Sequence, residues 1–209
     1  MSRAQRLIRA AMQTALLSIS LVASAVAPTT DIRGRLADTP VLRGSFEQEK
    51  QLKGFRHSLQ SSGDFLLARD RGVVWNTRKP FASSIVITKQ HLLTTTGADG
   101  AQKRVAAAGS PGVGTAPTLM LALLTGDTVT LAEQFEIKPS ELADGRWQLE
   151  LLPRTGALKK AFRRIALQGD RNVETIRIEE RSGDHTEIRF LDLRDTPAEL
   201  DIAEAQQFE

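Results

Sequence analysis

The stretch GDFLLARDRGVVWNTRKPF, residues 63–81, contains two apolar runs on either side of a short charged turn. Runs of this length, rich in β-branched and aromatic residues, predict strands. We expect one strand from Leu59 to Arg69, interrupted by Gly63, and a second from Val73 to Thr77. The stretch therefore predicts a pair of neighbouring strands early in the chain.

The first of these strands has a distinctive face. Side chains alternate between the two faces of a strand, so Phe65, Leu67 and Arg69 are expected to share one. A guanidinium then lies at the end of an apolar row. By residue type alone, this arginine is more simply explained as a solvated residue at the rim of the sheet.

Similar strand patterns continue on both sides of this pair. Turn signals separate them, including residues 97–100 and Asp144-Gly145. The other predicted strands are Ser45–Lys53, Ser84–Thr88, His91–Thr96, a segment around Phe135 and Ile137, Trp147–Leu151, Phe162–Leu167, Val173–Ile178 and Thr186–Phe190. About ten short strands with turn signals between them predict a β-sandwich or a barrel.

Two segments have a helical pattern instead. Apolar residues at helical spacing predict a helix over residues 30–42, with a break near Pro40. After a flexible glycine-rich loop at residues 109–114, a second helix is predicted from Thr118 to Leu124, with Gly126 as its stop. Apolar residues surround this second helix almost completely, so it must be covered on most sides or face an apolar ligand.

The first 27 residues have the layout of a secretory signal peptide. Arg3, Arg6 and Arg9 precede an uncharged segment, and Ala25-Val26-Ala27 fits the cleavage pattern. The apolar run is short for a membrane span, although an uncleaved anchor is the alternative. We expect residues 1–27 to be removed and residues 28–209 to form a single domain in the periplasm.

Composition excludes several classes of function. The chain has 28 Lys+Arg and 25 Asp+Glu, and removal of the three leader arginines leaves 25 of each. This balance does not suggest a nucleic-acid partner. The chain has no cysteine, which excludes thiol chemistry and a lipid-modified cysteine, so we expect the mature protein to be soluble and monomeric.

The sequence contains no recognisable catalytic or metal-binding motif. His57, His91 and His185 lack metal-ligand spacing, and no GxSxG motif is present. The glycine-rich loop before the second helix resembles a phosphate-binding loop, but Pro117 stands where the third glycine would be. We therefore expect no cofactor, no metal and no enzymatic activity.

Residues 63–81 resemble the corresponding strand pair of the LolA family, periplasmic carriers of outer-membrane lipoproteins. The resemblance rests on Gly63-Asp64, Arg69 and Trp75, on the early segment Ser45-Phe46-Glu47-Gln48 and on the helix opening at Ala116-Pro117-Thr118-Leu119. It implies an incomplete antiparallel β-barrel, mainly β with helices, that is closed on one side by those helices around a cavity for acyl chains. Asp70, where the family usually has proline, and the absence of tyrosine are departures that suggest a divergent paralogue.

The resemblance also assigns roles to residues. In the family, the arginine that matches Arg69 latches the helical lid to the barrel through backbone carbonyls. The resemblance also implies a lid made by Leu119, Met120, Leu123 and Leu124. The candidates for the cavity lining are Phe46, Phe65, Leu67, Val73, Trp75, Ile85 and Ile87.

The resulting hypothesis is a carrier that shields the acyl chains of a lipoprotein or glycolipid between the inner and outer membranes. Its partners would be an inner-membrane donor protein and an outer-membrane acceptor protein. Two alternatives stay open at this point. One is a lipid- or lipoprotein-sensing interaction module on the same open barrel, and the other is an exported hydrolase.

Overall fold

In a computed structural model of the protein, the described residues are 32–36, 38–88, 91–96, 101–106 and 115–209. The predicted leader and the predicted turn and loop at 97–100 and 109–114 lie outside them. The strands are β1 (Val41–Gln51), β2 (Leu59–Ala68), β3 (Gly72–Lys79), β4 (Ser83–Thr88), β5 (His91–Thr96), β6 (Ala101–Ala106), β7 (Phe135–Glu141), β8 (Trp147–Pro153), β9 (Phe162–Gly169), β10 (Val173–Glu180) and β11 (His185–Arg194). The helices are α1 (Ile32–Arg35), α2 (Thr115–Thr125), α3 (Thr128–Gln134), α4 (Gly156–Ala161) and α5 (Ile202–Gln206).

All eleven strands belong to one antiparallel sheet, in the order β6-β5-β4-β3-β2-β1-β11-β10-β9-β8-β7. Neighbours in this order follow one another in the chain, except where β1 pairs with β11. That pairing sets Phe46 opposite Phe190 and joins the first and last strands of the chain. The sheet is not closed, because β6 and β7 are its two edges. The predicted incomplete antiparallel barrel is confirmed.

The prediction of a helix over residues 30–42 is wrong in its second half. In the described part of the chain, α1 ends at Arg35, and β1 begins at Val41 rather than at Ser45. Val41 and Leu42 pair with Ala68 and Leu67 of β2. The helical spacing of the apolar residues was outweighed because Pro40 disfavours helix in the residue before it and because β2 offers a pairing edge.

Several elements had no clear sequence signal. Strand β6 was not predicted, and neither were the short helices α3, α4 and α5. The three helices have seven, six and five residues, too few for a helical period to stand out. They form because a cap or a packing partner holds each one. Asp201, for example, makes a complete capping box with Glu204 in α5.

The sheet buries apolar side chains on both faces. Its inner face carries the main core, to which β8, β9 and β10 contribute Leu149, Leu167 and Ile176. The outer face is apolar only over the first strands, where Phe208 and Leu200 of the C-terminal segment cover a smaller cluster. The late strands β8, β9 and β10 place apolar side chains on the inner face and mostly polar or charged ones on the outer face, as antiparallel strands with one solvated face do.

An ion pair and two further hydrogen bonds hold the C-terminal segment on the outer face of the sheet. The guanidinium of Arg43 in β1 donates to both carboxylate oxygens of Glu204 in α5, at 2.6 and 2.7 Å. It also donates to the carbonyls of Pro197 and Glu199. Both partners of the pair are largely shielded, with 14% and 19% of their side chains exposed. The pair therefore anchors the chain end over the outer cluster.

Candidate functional site

Helices α2 and α3 cover the inner face of the sheet and join at Gly126 and Asp127. Helix α2 packs against α3 and β10. Gly126 has a φ of +64°, which favours glycine, and a side chain there would press on Leu36, the residue that follows α1. The carboxylate of Asp127 caps α3 by accepting from the backbone N–H groups of Val129 and Thr130. The predicted stop of α2 at Gly126 is confirmed.

Aromatic rings fill one half of the inner face. Phe46 and Trp75 are stacked with their centroids 3.9 Å apart, and Phe65 lies 6.3 Å from Trp75. Phe190 meets Phe65 and Trp75 edge-on at 5.2 and 6.0 Å. The three pairs that involve Phe65 or Phe190 have the separations that aromatic rings favour, and the Phe46–Trp75 stack is closer than that range. The four rings come from β1, β2, β3 and β11 and pack against one another in this half of the interior.

The other half of the inner face holds an apolar cavity of about 460 Å³ between the sheet and α2. Its volume lies in the range of small-molecule sites, about 300 to 1,000 Å³. Apart from Gln134 and Thr155, every residue that lines it is apolar. The lining consists of Trp75, Leu119, Met120, Leu123, Leu124, Gln134, Thr155, Ala157, Leu158, Phe162, Ile176, Ile178 and Ile188. Such a lining suits an alkyl chain and offers little to a polar ligand.

The structure brings part of the sequence-predicted site together at this cavity. The four lid candidates of α2 (Leu119, Met120, Leu123 and Leu124) all line it. From the strand candidates, Trp75 lines it as well. The remaining strand candidates lie in the packed core, with Ile85 partly buried against it and the others buried in it: Phe46, Phe65, Leu67, Val73 and Ile87.

Sequence reasoning missed the contribution of α4 and β10 to the site. Leu158 and Phe162 line the cavity from α4 and the start of β9, and Ile176 and Ile178 line it from β10. The strand pattern of β10 was visible, but nothing local distinguishes an isoleucine over a cavity from one in a packed core. Helix α4 gave no periodic signal because it has only six residues.

The cavity opens between α4 and the N-terminal half of α2. Ala122, Leu123 and Leu124 of α2 are buried, whereas Leu119 and Met120 are only partly buried. Helix α4 lies at the end of the sheet that also carries the turn between β10 and β11, since the Arg181 N–H donates to the carbonyl of Ala161 at 2.8 Å. We call this opening the mouth.

The sequence of this chain matches a known protein family. The family model described as "Outer membrane lipoprotein carrier protein LolA" matches residues 37–201, more than half of the chain. The chain belongs to the LolA family. No curated protein sequence shows a significant match to it.

Solved structures resemble this LolA-family chain at low sequence identity. A DUF1329 family protein from Desulfovibrio piger is 13% identical, with 85% of this chain and 95% of that one covered and a TM-score of 0.49. A LolA superfamily protein from Nitrosomonas europaea is 9% identical, with coverages of 78% and 90% and a TM-score of 0.42. A domain described as an outer membrane lipoprotein-sorting protein, from Vibrio parahaemolyticus, is 12% identical, with coverages of 84% and 93% and a TM-score of 0.43.

Contacts between β2 and β3 explain why Gly63 and Asp64 of the LolA-like motif, residues 63–81, suit their positions in this chain. Gly63 crosses so close to β3 that a side chain would overlap the carbonyl oxygen of Asn76. The carboxylate of Asp64 accepts from the side chains of Asn76 at 3.1 Å and Arg78 at 2.5 Å. These contacts pin β2 to β3 on the outer face, behind the aromatic rings.

Arg69 of this LolA-family chain lies at the opposite end of the sheet from the mouth. Its Nε donates to the carbonyl of Thr39 at 3.4 Å and lies 3.6 Å from a carboxylate oxygen of Asp38. Leu124 and Thr125 of α2 border the same small surface pocket as Arg69. The guanidinium therefore lies where the segment before β1 meets the C-terminal end of α2.

The junction between α2 and α3 carries a perturbed carboxyl group close to Arg69. Burial alone would raise the pKa of Asp127, but the side-chain and backbone hydrogen bonds from Thr130 and the backbone bond from Val129 outweigh it. The charge of Arg69 lowers the pKa of this carboxyl further. Asp127 is therefore held in its charged form below the ordinary pKa of an aspartate.

No helix in the described ranges is long and apolar enough to cross a membrane. Across the same ranges, no group of three or more His, Asp or Glu side chains is placed to hold a metal ion.

Proposed function

We propose that this LolA-family protein is a periplasmic carrier that shields the acyl chains of a lipoprotein or a related lipid between the inner and outer membranes. The observation that carries the proposal is the apolar cavity of about 460 Å³ beneath α2. Membership of a family described as outer membrane lipoprotein carriers supports the same cargo class. The carrier catalyses no reaction.

The energetics of an acyl chain support the need for such a cavity. Each methylene group transferred from water to an apolar site gains about 0.8 kcal/mol, so a chain of a dozen carbons gains roughly 10 kcal/mol when fully enclosed. The same penalty keeps an acylated molecule from crossing an aqueous compartment unaided. A cavity lined by Leu, Ile and Met side chains removes that penalty without a covalent step.

Helix α2 acts as the lid in this proposal. Its side chains at Leu119, Met120, Leu123 and Leu124 cover the cavity, and an entering chain would replace some of their contacts with the sheet. Displacing these contacts offsets part of the binding free energy, which keeps the cargo transferable. Arg69 is the proposed latch, because its guanidinium bonds to the backbone carbonyl of Thr39 and borders the same pocket as the C-terminal end of α2.

The proposed path requires partners at both membranes. An inner-membrane donor protein would load the cavity, and an outer-membrane acceptor protein would empty it. Export through a leader at residues 1–27 would bring the monomeric protein to the periplasm.

The test is native mass spectrometry of the protein purified from periplasm, followed by solvent extraction of bound material. We expect an adduct that disappears on extraction and whose fragments contain a fatty acyl chain. A bare protein mass that stays unchanged after incubation with detergent-solubilised lipoproteins and acyl lipids would refute the carrier function and favour a protein-interaction module.

Matched variants tie the adduct to the cavity. Leu158→Glu places a carboxylate at the lining near the mouth and is expected to abolish the adduct while leaving the fold intact. Leu191→Glu makes the same change at a side chain on β11 that is 40% exposed and should keep the adduct. If both variants carry it equally, the acyl chain binds elsewhere.

The proposed latch role of Arg69 is tested by measuring the transfer of cargo rather than its binding. Arg69→Leu is expected to keep the protein folded and to impair the uptake or release of an acylated peptide from membranes. Arg71→Leu, a change at an exposed arginine in the same turn, is the control. Transfer rates that are equal for the two variants and the unchanged protein would remove Arg69 from the mechanism.

A further inference from the structure

The mouth of the cavity lies in the most basic part of the chain. Residues 151–169 contain five Lys or Arg residues and no Asp or Glu. This segment includes the end of β8, helix α4 and all of β9. The charge is therefore concentrated on the elements that border the opening.

Helix α4 and the start of β9 separate apolar from charged side chains at this border. Ala157, Leu158 and Phe162 line the cavity. Lys159 and Lys160 occupy the last turn of α4 and are exposed. The cavity is thus apolar inside and positively charged where it meets water.

Arg163 extends the charge from α4 to the start of β9. The register of β9 against β10 shifts between Phe162 and Arg164, so Arg163 lies in a β-bulge directly after Phe162, which lines the cavity. Its own side chain is exposed, because β9 reaches the mouth at this point. We call Lys159, Lys160 and Arg163 the basic rim.

In the described part of the chain the basic rim forms no close ion pair, unlike the neighbouring Arg164, although the charge of Arg163 does help to lower the pKa of Glu179. Arg164, one residue further on, pairs with Glu150 at 3.3 Å and Glu179 at 2.5 Å on the outer face. Within the described part of the chain, none of the three rim cations lies within ion-pair distance of a carboxylate, and the inner-face carboxylate of Glu180 is already held by Lys50 at 3.0 Å. Lys159 and Lys160 are adjacent like charges with no carboxylate at ion-pair distance among the described residues, and an anion placed between them and Arg163 relieves their repulsion.

We propose that the basic rim binds the anionic headgroup, a phosphate or carboxylate, of the molecule whose acyl chain enters the cavity. This inference rests on the proposed carrier function and narrows its ligand class to anionic amphiphiles. The chain supplies most of the affinity, since each exposed ion pair is individually weak. The rim supplies selectivity, because an anchored chain holds its headgroup at a high effective concentration beside the three cations.

The experiment is isothermal titration calorimetry of the full protein with three amphiphiles of the same chain below their micelle concentrations: dodecyl phosphate, dodecyl maltoside and dodecyltrimethylammonium. Inorganic phosphate serves as the headgroup without a chain. We expect one molecule of dodecyl phosphate to bind about tenfold more tightly than the maltoside, the size expected from three weak ion pairs. The ammonium amphiphile should bind less tightly than either, and molar salt should remove the differences.

The variant is K159S/K160S/R163S, which neutralises the rim and leaves the lining unchanged. Its matched control is R71S/R171S/R194S, which removes the same charge from exposed positions at the opposite end of the sheet. The rim variant should bind all three amphiphiles with the affinity of the maltoside, whereas the control variant should keep the preference for dodecyl phosphate. Unfolding curves of both variants confirm that the fold is retained.

Each other outcome refutes the inference. Equal binding of the three amphiphiles by the unchanged protein leaves the carrier function standing but removes the anionic preference. Inorganic phosphate binding as tightly as dodecyl phosphate would mean an anion site independent of the cavity. Binding to anionic vesicles without binding to monomeric dodecyl phosphate would mean a membrane-docking surface. No binding of any amphiphile would refute the carrier function as well.

Discussion

Filling the cavity should block ligand binding without destabilising the protein. Ile178 on β10 lines the cavity, and phenylalanine at this position would project three more carbon atoms into open space. A cavity left by loose packing in the core and a cavity kept for a ligand both predict that Ile178→Phe is tolerated. Only the second predicts that it also lowers ligand affinity.

The size of the expected effects follows from the number of carbon atoms that the larger side chain adds. Three additional carbons at about 0.8 kcal/mol each could contribute at most about 2 kcal/mol to the free energy of unfolding. They occupy space that an acyl chain would use, so the ligand loses up to the same amount, or roughly 30-fold in dissociation constant. The register partner Ile165 on β9 provides the contrast, because it is 1% exposed and does not line the cavity. Phenylalanine there must displace packed atoms at a cost of about 1 to 3 kcal/mol.

The assay combines urea unfolding with titration of a fluorescent fatty acid. Ile178→Phe should unfold at the same or higher urea concentration than the unchanged protein and bind the probe roughly 30-fold more weakly. Ile165→Phe should unfold at lower urea concentration. Destabilisation of Ile178→Phe by as much as Ile165→Phe would refute the reasoning, because it would mean that the space beneath α2 is filled by protein in solution.

Three further predictions concern stability. Glu204→Gln should lower the free energy of unfolding by about 1 to 2 kcal/mol, since the Arg43 guanidinium loses a charged acceptor in a largely shielded site; urea unfolding measures this. The bond from Arg43 lowers the pKa of Glu204, and the pKa of Asp127 is lowered despite its burial. Both carboxyls therefore stabilise the fold above their unfolded-state pKa values of about 4, and the melting temperature should fall as the pH drops through the lowered folded-state values. Gly63→Ala should cost about 3 kcal/mol or prevent folding, because its methyl group would overlap the Asn76 carbonyl.

Control substitutions separate these effects from a general sensitivity of the fold to mutation. Glu199→Gln changes an exposed carboxylate in the same segment as Glu204 and should leave the unfolding curve unchanged. Glu204→Gln should also show a smaller loss of melting temperature at acid pH than the unchanged protein, and an equal loss would contradict its assigned role. Gly145→Ala removes a glycine at a positive φ with open space around its missing side chain, so its cost should be smaller than that of Gly63→Ala.

The covering helix shows how far the sequence predicted the site. The apolar residues of α2 around Leu123 predicted a helix that covers an apolar space, and the structure puts that helix over the cavity. The lining predicted from the early strands was less informative, because Phe46 and Leu67 lie in the packed core instead. In a strand pattern, a residue that packs against other side chains cannot be distinguished from one that faces a cavity.

The sequence by itself determined most of the strands and the face on which most of their side chains lie, because both follow from a period of two residues along a local segment. It also determined the covering helix and the turns, since glycine and proline act on the backbone next to them. Tertiary structure alone decided that β1 pairs with β11, that Val41 begins a strand rather than continuing a helix, and that four aromatic rings fill one half of the interior. The rings of Phe46, Phe65, Trp75 and Phe190 come from strands far apart in the chain. Their meeting, and the open space left beside them, depend on long-range pairing and packing, which no local pattern encodes.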